Sequence, residues 1–380
     1  MDFDYSEEQR QVRETTREFA LEHLAPGVMD RDEHMTYPAE QVRMLGEMGF
    51  MGMIIPEEWN GAGMDMVSYA LAIEELSRVD ASTGVIMSVN NSLVCQLLND
   101  WGSDDQKERY LKKLASGEYL GAFSLSEPQA GSDASNLRTF ARRQGDQYVV
   151  NGTKNWVTNG IHSQVVILFA LTRKGAGHRG ISAFVVEKGW EGFTAGKKED
   201  KLGIRSTDTC ELYFDNCRIP AGNRIGNEGE GFKIAMATLD GARIGIAAQA
   251  VGIAQAALDR SVAYSKERKQ FGETISTFGA IRQKISRMAT EIDSARLLTH
   301  RAAWFKDRGR PFTREAAMAK WYASKVAVEA STECVQIFGG YGYMQETGVE
   351  RLMRDAKITQ IYEGTSEIQE LVIARSILEE

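Results

Sequence analysis

The stretch Arg354-Asp355-Ala356-Lys357-Ile358-Thr359-Gln360-Ile361-Tyr362-Glu363-Gly364-Thr365-Ser366-Glu367-Ile368-Gln369 reads as a helix, a break and a second helix. The first run stops at Gly364, and the next helix is predicted to open on a capping box, Ser366 as N-cap with Gln369 three residues on. Glu363 therefore falls in the break, beside a glycine that lets another group approach the backbone closely. Two readings of that carboxylate stand: a general base, or a charge that only complements the positive end of the next helix. With 53 acidic residues in the chain, local sequence favours the second.

Upstream of the break, long helical patterns cover about 232–268, 280–308 and 313–338. Several are at least twice the mean helix length, the mark of a helix bundle. Between 123 and 219 the pattern is different. Short β-rich runs such as Gln147-Tyr148-Val149-Val150, Val165-Val166-Ile167-Leu168-Phe169 and Cys210-Glu211-Leu212-Tyr213-Phe214 are separated by glycine and polar turns. That spacing predicts a β-sandwich or barrel rather than βαβ units. The first third is helical again. Ser6 and Gln9 form a capping box, Val12, Phe19 and Leu24 follow at near-helical spacing, and Pro26-Gly27 ends the run. Further helices are predicted around Val42, Leu45 and Met48, around Leu71, Ala72, Leu76 and Val79, and over 106–114. The expected architecture is an α+β multi-domain chain: a helical domain over 1–118, a β domain over 119–225 and a helical bundle over 226–380.

A length of 380 residues suits two or three domains, and 43% hydrophobic with 26% charged residues is ordinary globular composition. The net charge of −8 argues against nucleic acid as a partner. No apolar run approaches a membrane span, and Met1-Asp2-Phe3-Asp4-Tyr5 is too acidic for a signal or transit peptide. A cytoplasmic location is expected, with a processed organelle-matrix protein as the alternative. Cys95, Cys210, Cys217 and Cys334 show no CxxC spacing and the five histidines no HExxH, so no metal is expected. Asn90-Asn91-Ser92 and Asn151-Gly152-Thr153 are read as chance glycosylation matches. Gly175-Ala176-Gly177-His178-Arg179-Gly180 matches the dinucleotide fingerprint, but a strand-like run follows where that motif needs a helix. It is read as a hairpin loop. Neither a phosphate-binding Walker sequence nor a GxSxG elbow is present.

The remaining candidates each carry two readings. Phe123-Ser124-Leu125-Ser126-Glu127-Pro128-Gln129-Ala130-Gly131-Ser132-Asp133 is a strand entering a turn that binds a polar ligand edge or is simply a Glu-Pro turn. In Asn155-Trp156-Val157-Thr158-Asn159-Gly160, strand alternation would put Trp156 and Thr158 on one face, and Trp156 alone is more often core than cofactor wall. Arg243 in Asp240-Gly241-Ala242-Arg243 is an ion pair or an anion contact. Arg268-Lys269-Gln270-Phe271-Gly272 and Gln336-Ile337-Phe338-Gly339-Gly340 also read as ordinary helix endings, Gly272 as the stop.

Tyr362-Glu363-Gly364-Thr365 followed by Ile368-Gln369 resembles the C-terminal signature of the acyl-CoA dehydrogenase family, and the other blocks recur in the family's order over nearly the whole chain. The resemblance implies an FAD enzyme in which Glu363 is the catalytic base. It implies that Phe123, Leu125 and Ser126 line the isoalloxazine, with Ser126 where Thr is commoner, and that Trp156 and Thr158 pack against the flavin. Ser132, Asp240, Arg243, Tyr362 and Gly364 would contact the acyl-CoA. Arg268, Phe271, Gln336, Gly339, Gly340, Thr365 and Glu367 would reach FAD across a subunit boundary, which implies a homo-oligomer, expected to be a tetramer. Ala242 excludes the alternative position of the base used by long-chain and isovaleryl branches. Met87-Ser88-Val89-Asn90-Asn91-Ser92-Leu93 is most similar to the short-chain, butyryl branch, and Gly84-Val85-Ile86 lacks the cation a dicarboxylyl substrate would need. Electrons would pass to electron-transferring flavoprotein, with Met64 and Met66 either in its docking patch or in the core. The alternatives are a branched-chain or cyclic acyl-CoA dehydrogenase, an acyl-CoA oxidase, which is usually longer, and a nucleic-acid-binding relative, which needs a basic extension.

Overall fold

The computed structural model describes residues 4–379; residues 1–3 of the acidic N-terminus and Glu380 lie outside the described residues. Helix α1 (Glu7–Phe19) opens on the expected Ser6/Gln9 box with both reciprocal hydrogen bonds formed, and Gly27 turns the chain with φ 76°. There follow α2 (Val28–Glu33), α3 (Ala39–Glu47), α4 (Met66–Val79), α5 (Ala81–Ser88), α6 (Gln96–Trp101), α7 (Asp104–Gln106) and α8 (Lys112–Ala115). The stretch from α5 through the wide helical turn Val89–Cys95 escapes periodicity analysis because every residue in it is buried. A helix buried all round, polar Ser82, Thr83, Ser88, Asn90, Asn91 and Ser92 included, has no solvent face to set off an apolar stripe. Met66 starts α4 inside the core and Met64 packs against that core, so the core reading of this pair is the one the fold bears out.

The middle segment carries β1 (Gly121–Ser124), β2 (Phe140–Gln144), β3 (Gln147–Val157), β4 (Val165–Leu171), β5 (Ile181–Glu187), β6 (Phe193–Lys198), β7 (Cys210–Pro220) and β8 (Arg224–Ile225). They form one mostly antiparallel sheet in the order β6-β7-β3-β2-β4-β5-β8, with β1 parallel to β4. The sheet folds over on itself: Tyr148 of β3 meets Phe184 of β5 with ring centroids 4.9 Å apart. Strand β4 is buried on both faces, one in this sandwich core and one against the α6–α8 helices and the start of the next long helix. That double burial is why its sequence is a continuous apolar run rather than an alternating one. The fingerprint-like glycines lie in the loop between β4 and β5 and are followed by a strand.

The chain returns to helix in α9 (Gly231–Glu267), then the small hairpin β9 (Lys269–Gln270) and β10 (Glu273–Thr274), and then α10 (Gly279–Asp307), α11 (Thr313–Phe338), α12 (Val349–Thr359) and α13 (Ser366–Leu378). Gly272 is not a helix stop. Phe271 and Gly272, at φ 52° and 85°, form the two-residue turn of the hairpin, a geometry in which both central residues are left-handed. The N-terminal and C-terminal helices share one apolar core. Gly252 lets α4 and α9 touch backbone to backbone, since a Cβ there would stand 2.3 Å from the Glu74 carbonyl oxygen. Each large aliphatic side chain sealed in such a core contributes about 1.5–3 kcal/mol. The core thus forms a stiff base under the α12–α13 break.

Candidate active site

Between α12 and α13 the backbone turns through two consecutive left-handed residues, Glu363 at φ 54° and Gly364 at φ 93°. Glycine accepts that conformation freely, whereas a glutamate must be held in it. Three ties hold it. Ser366 N–H donates to the Gln360 carbonyl at 3.0 Å. Gln369 Nε2 donates to the Gly364 carbonyl at 2.9 Å and to the Glu363 carbonyl at 3.3 Å. Lys320 Nζ, from α11, donates to the same Gly364 carbonyl at 2.6 Å. A side chain at 364 would put its Cβ 2.5 Å from Gln369 Nε2, so Gln369 would have to give up its place against the turn, and the left-handed φ favours glycine independently.

The cap of α13 differs from the expectation. Thr365 is the N-cap, its Oγ1 accepting from Ile368 N–H at 3.4 Å, and Ser366 is already helical. The left-handed pair ends at 364, so extended backbone, and with it the capping position, falls one residue earlier. Gln369 is thereby freed to hold the carbonyls of the turn.

Glu363 Oε2 is sealed from solvent and has no hydrogen-bond partner among the described residues. Burial pushes this carboxyl up to about 7, against the opposing pull of Lys320 and Arg243. Arg243 is buried on α9, donating through Nη1 to Asp240 Oδ1 at 2.7 Å, while its Nε has no partner. Burial lowers this guanidinium, and Asp240 and Glu363 restore part of the loss. Asp240 Oδ2 in turn accepts from Thr313 Oγ1 at 2.6 Å. Tyr362 donates its hydroxyl hydrogen to Gln249 Oε1, and Gln249 Nε2 donates to the Ala81 carbonyl at 2.8 Å, tying the turn to α9 and α5. The structure therefore brings Asp240, Arg243, Tyr362, Glu363 and Gly364 into one neighbourhood.

A second group lies on the sheet. Phe123 packs on Phe169 at 5.0 Å between ring centroids, Leu125 is buried, and the Ser126 carbonyl accepts from Asn155 N–H at 3.0 Å. Lys154 fastens this layer, donating to the Leu125 carbonyl at 2.9 Å and to Glu127 Oε1 at 2.8 Å. Trp156 is 64% exposed and has φ 61°, so it is not a core residue. Its left-handed backbone coincides with a shift in the β3/β7 register, and Thr158 lies beyond the end of β3. Strand alternation is broken at that point, so it does not place Trp156 and Thr158 on one face. Ser124 Oγ, Asn155 Oδ1 and Asn159 Oδ1 are buried without partners among the described residues. Ser132 is exposed on the loop after this strand.

A third group surrounds an open groove of about 440 Å³ lined by residues that include Tyr264, Arg268, Phe338, Gly339 and Gly340. Tyr264 and Phe338 stack at 4.0 Å, and the Arg268 guanidinium lies 5.4 Å from the Tyr341 ring centre. A Cβ at Gly339 or Gly340 would meet nothing within 4 Å. Phe271 is 94% exposed, and Gln336 and Glu367 are also exposed. Lys320, Gln249 and the Glu127–Lys154 pair were not singled out from sequence. Lys320 carried a detectable signal, a lone cation in the small-residue run Ala316-Ala317-Met318-Ala319 of a helix.

Three family models match in succession: the acyl-CoA dehydrogenase N-terminal domain over residues 6–118, the middle domain over 122–217 and the C-terminal domain over 229–378. The short-chain specific acyl-CoA dehydrogenase of Clostridium acetobutylicum is 49% identical over 99% of this chain and all of its own length. The butyryl-CoA dehydrogenase structure from Megasphaera elsdenii superposes with a TM-score of 0.98 at 47% identity, covering all of both chains. A chain from a structural study of the electron transferring flavoprotein of Acidaminococcus fermentans matches with a TM-score of 0.99 at 49% identity, again over all of both chains. On the agreement of three consecutive domains with full-length relatives at about half identity, this chain is a member of the acyl-CoA dehydrogenase family.

Proposed function

We propose that the chain is an FAD-dependent dehydrogenase of short-chain acyl-CoA thioesters, forming trans-2-enoyl-CoA and passing electrons to electron-transferring flavoprotein. The observation that carries this reading is the Glu363 carboxyl, its Oε2 buried, without a hydrogen-bond donor among the described residues, and pushed up to about 7 in a strained turn. A carboxylate in that condition is a stronger base than one in water. The Glu363 N–H also makes no hydrogen bond among the described residues, which leaves it available to a ligand oxygen.

The residues present fit FAD. The exposed, left-handed Trp156 and the unpartnered buried atoms of Ser124, Asn155 and Asn159 mark a polar and aromatic site on the sheet. Arg268 and the open Gly339-Gly340 backbone suit a pyrophosphate, as Phe123, Leu125, Ser126 and Thr158 suit the ring. Phe271, Gln336, Thr365 and Glu367 are assigned to the same cofactor across a subunit contact, in a homotetramer. When bound, FAD supplies a two-electron acceptor for hydride from the substrate β-carbon. Glu363 removes the α-proton, and the proton resides on its carboxyl until product leaves. The Glu363 N–H donates to the thioester oxygen as enolate-like charge develops, an interaction worth about 3 kcal/mol. Asp240, Arg243, Ser132, Tyr362 and Gly364 bind and orient the acyl-CoA.

The test is anaerobic titration of FAD-loaded protein with straight and branched acyl-CoAs from C4 to C16, following flavin absorbance. Fastest bleaching with butyryl-CoA is expected. Preference for a branched or long acyl group would move the chain to another branch, and absence of bleaching by every acyl-CoA would overturn the reading.

A further inference from the structure

We propose that Lys320 is a positioning residue of this site: its buried ammonium fixes the turn that carries Glu363 and supplies the positive charge that keeps that carboxylate ionised until it takes the proton. This inference rests on the dehydrogenase reading above.

Lys320 lies on α11 with its side chain fully buried, among Ala316, Ala317, Ala319 and Ala323 of the same helix. Burying an ammonium is costly unless a partner compensates it. A purely structural lysine would meet a carboxylate directly, as Lys154 meets Glu127. Lys320 instead gives its hydrogen bond to a neutral group, the Gly364 carbonyl, at 2.6 Å. One atom thus bonds the turn while the charge it carries stays uncompensated at close quarters. The neighbouring acid is Glu363, one residue before the bonded carbonyl. The ammonium itself is lowered to about 7 by burial, with Glu363 opposing that fall, Arg243 adding to it and Glu367 again opposing it.

The charged and titratable groups around Glu363 come from every element packed on the turn. They are Lys320 from α11, Arg243 with its partner Asp240 from α9, Glu367 from α13, Tyr69 from α4 and Tyr362 within the turn. Arg243 is already paired with Asp240 at 2.7 Å. Lys320 is the cation among these that has no carboxylate of its own and also grips the turn. Gln369 shares the grip on Gly364 but carries no charge, which separates the two roles experimentally.

The test uses FAD-loaded parent, Lys320→Gln, Lys320→Arg and Gln369→Ala. The Glu363 carboxyl is titrated by infrared difference spectroscopy, its band identified by subtraction of Glu363→Gln, so this readout needs no substrate. The pH dependence of anaerobic flavin reduction by saturating butyryl-CoA is measured alongside. In Lys320→Gln the carboxyl midpoint should rise by about one pH unit, roughly tenfold less base at pH 6. The acid limb of flavin reduction should move with it and the rate should recover at pH 9. Lys320→Arg should keep the parental midpoint. Gln369→Ala should slow reduction equally at every pH. Lys320→Met serves in place of Lys320→Gln if the latter does not accumulate as holoprotein. An unmoved midpoint in the neutral variants, or an equal movement in Gln369→Ala, would overturn the role of Lys320. A moved midpoint in a protein whose flavin no acyl-CoA bleaches would uphold the charge coupling and sink the dehydrogenase reading instead.

Discussion

The molecule contains two buried glutamate–lysine neighbourhoods with opposite outcomes. In the sheet, Glu127 receives Lys154 at 2.8 Å, Arg138 N–H at 2.6 Å and Thr139 N–H at 3.1 Å. Burial alone would raise this carboxyl, but Lys154 and the backbone donors outweigh it and hold the group below its ordinary range. At the helical break, Glu363 has a lysine nearby, yet that lysine bonds a backbone carbonyl and Oε2 is left with no donor. Burial then wins and the carboxyl rises to about 7. The same two residue types leave one carboxyl lowered in a locked ion pair and the other raised, and the number of hydrogen bonds delivered to the carboxylate decides which.

The sharpest way to break this comparison is to remove each acid's function in turn. Glu363→Gln should retain FAD and acyl-CoA binding yet lose about 10⁴-fold in flavin reduction, the upper range for deleting a general base. Stopped-flow absorbance checks it, and a normal bleaching rate would refute the assignment. Lys154→Met should do the reverse. It leaves Glu127 buried without its cation, at a cost of about 3–5 kcal/mol measured by denaturant unfolding. A loss confined to catalysis, with stability intact, would show that the pair is not the structural lock described.

Acid pH should separate the two sites further. Glu363 has a folded value raised above its ordinary one, so flavin reduction should fall about tenfold per pH unit below 7 as the base protonates. Its contribution to stability runs the other way: the folded state holds a proton that the unfolded chain has released, so stability from this group declines as pH rises from about 4.5 to 7. Glu127 is lowered, so its contribution is full above its ordinary value and is lost only as pH falls below that. A pH series of unfolding midpoints in the parent and in Glu363→Gln tests the signs. The smallest effect is expected from Thr365→Ala, which removes the cap of α13 and should cost about 1 kcal/mol without moving the acid limb.

Much of this was legible in the chain. The Ser6/Gln9 cap, the long C-terminal helices, the glycine-separated strands and the break at Glu363-Gly364 each follow from local rules, and the structure has them all. The misreadings share a cause. Ser366 lost the capping position to Thr365, and Gly272 became a hairpin turn rather than a stop, because left-handed non-glycine residues at 363 and 271 redirect the chain. The expected Trp156/Thr158 face failed for the same reason at 156. Side chains with a Cβ disfavour that conformation locally, so a local sequence rule does not predict it at these positions.

The sequence by itself determined the order of helical and strand segments and those starts that a local cap marks, such as Ser6 of α1, because capping, periodicity and glycine act over a few neighbouring residues. It also marked the carboxylate that sits in the break. What surrounds that carboxylate was decided by the tertiary structure, which buries it and brings Lys320 and Arg243, both far upstream in sequence, to oppose the effect of burial. Desolvation and charge are properties of what surrounds a group in space, and no local pattern encodes them.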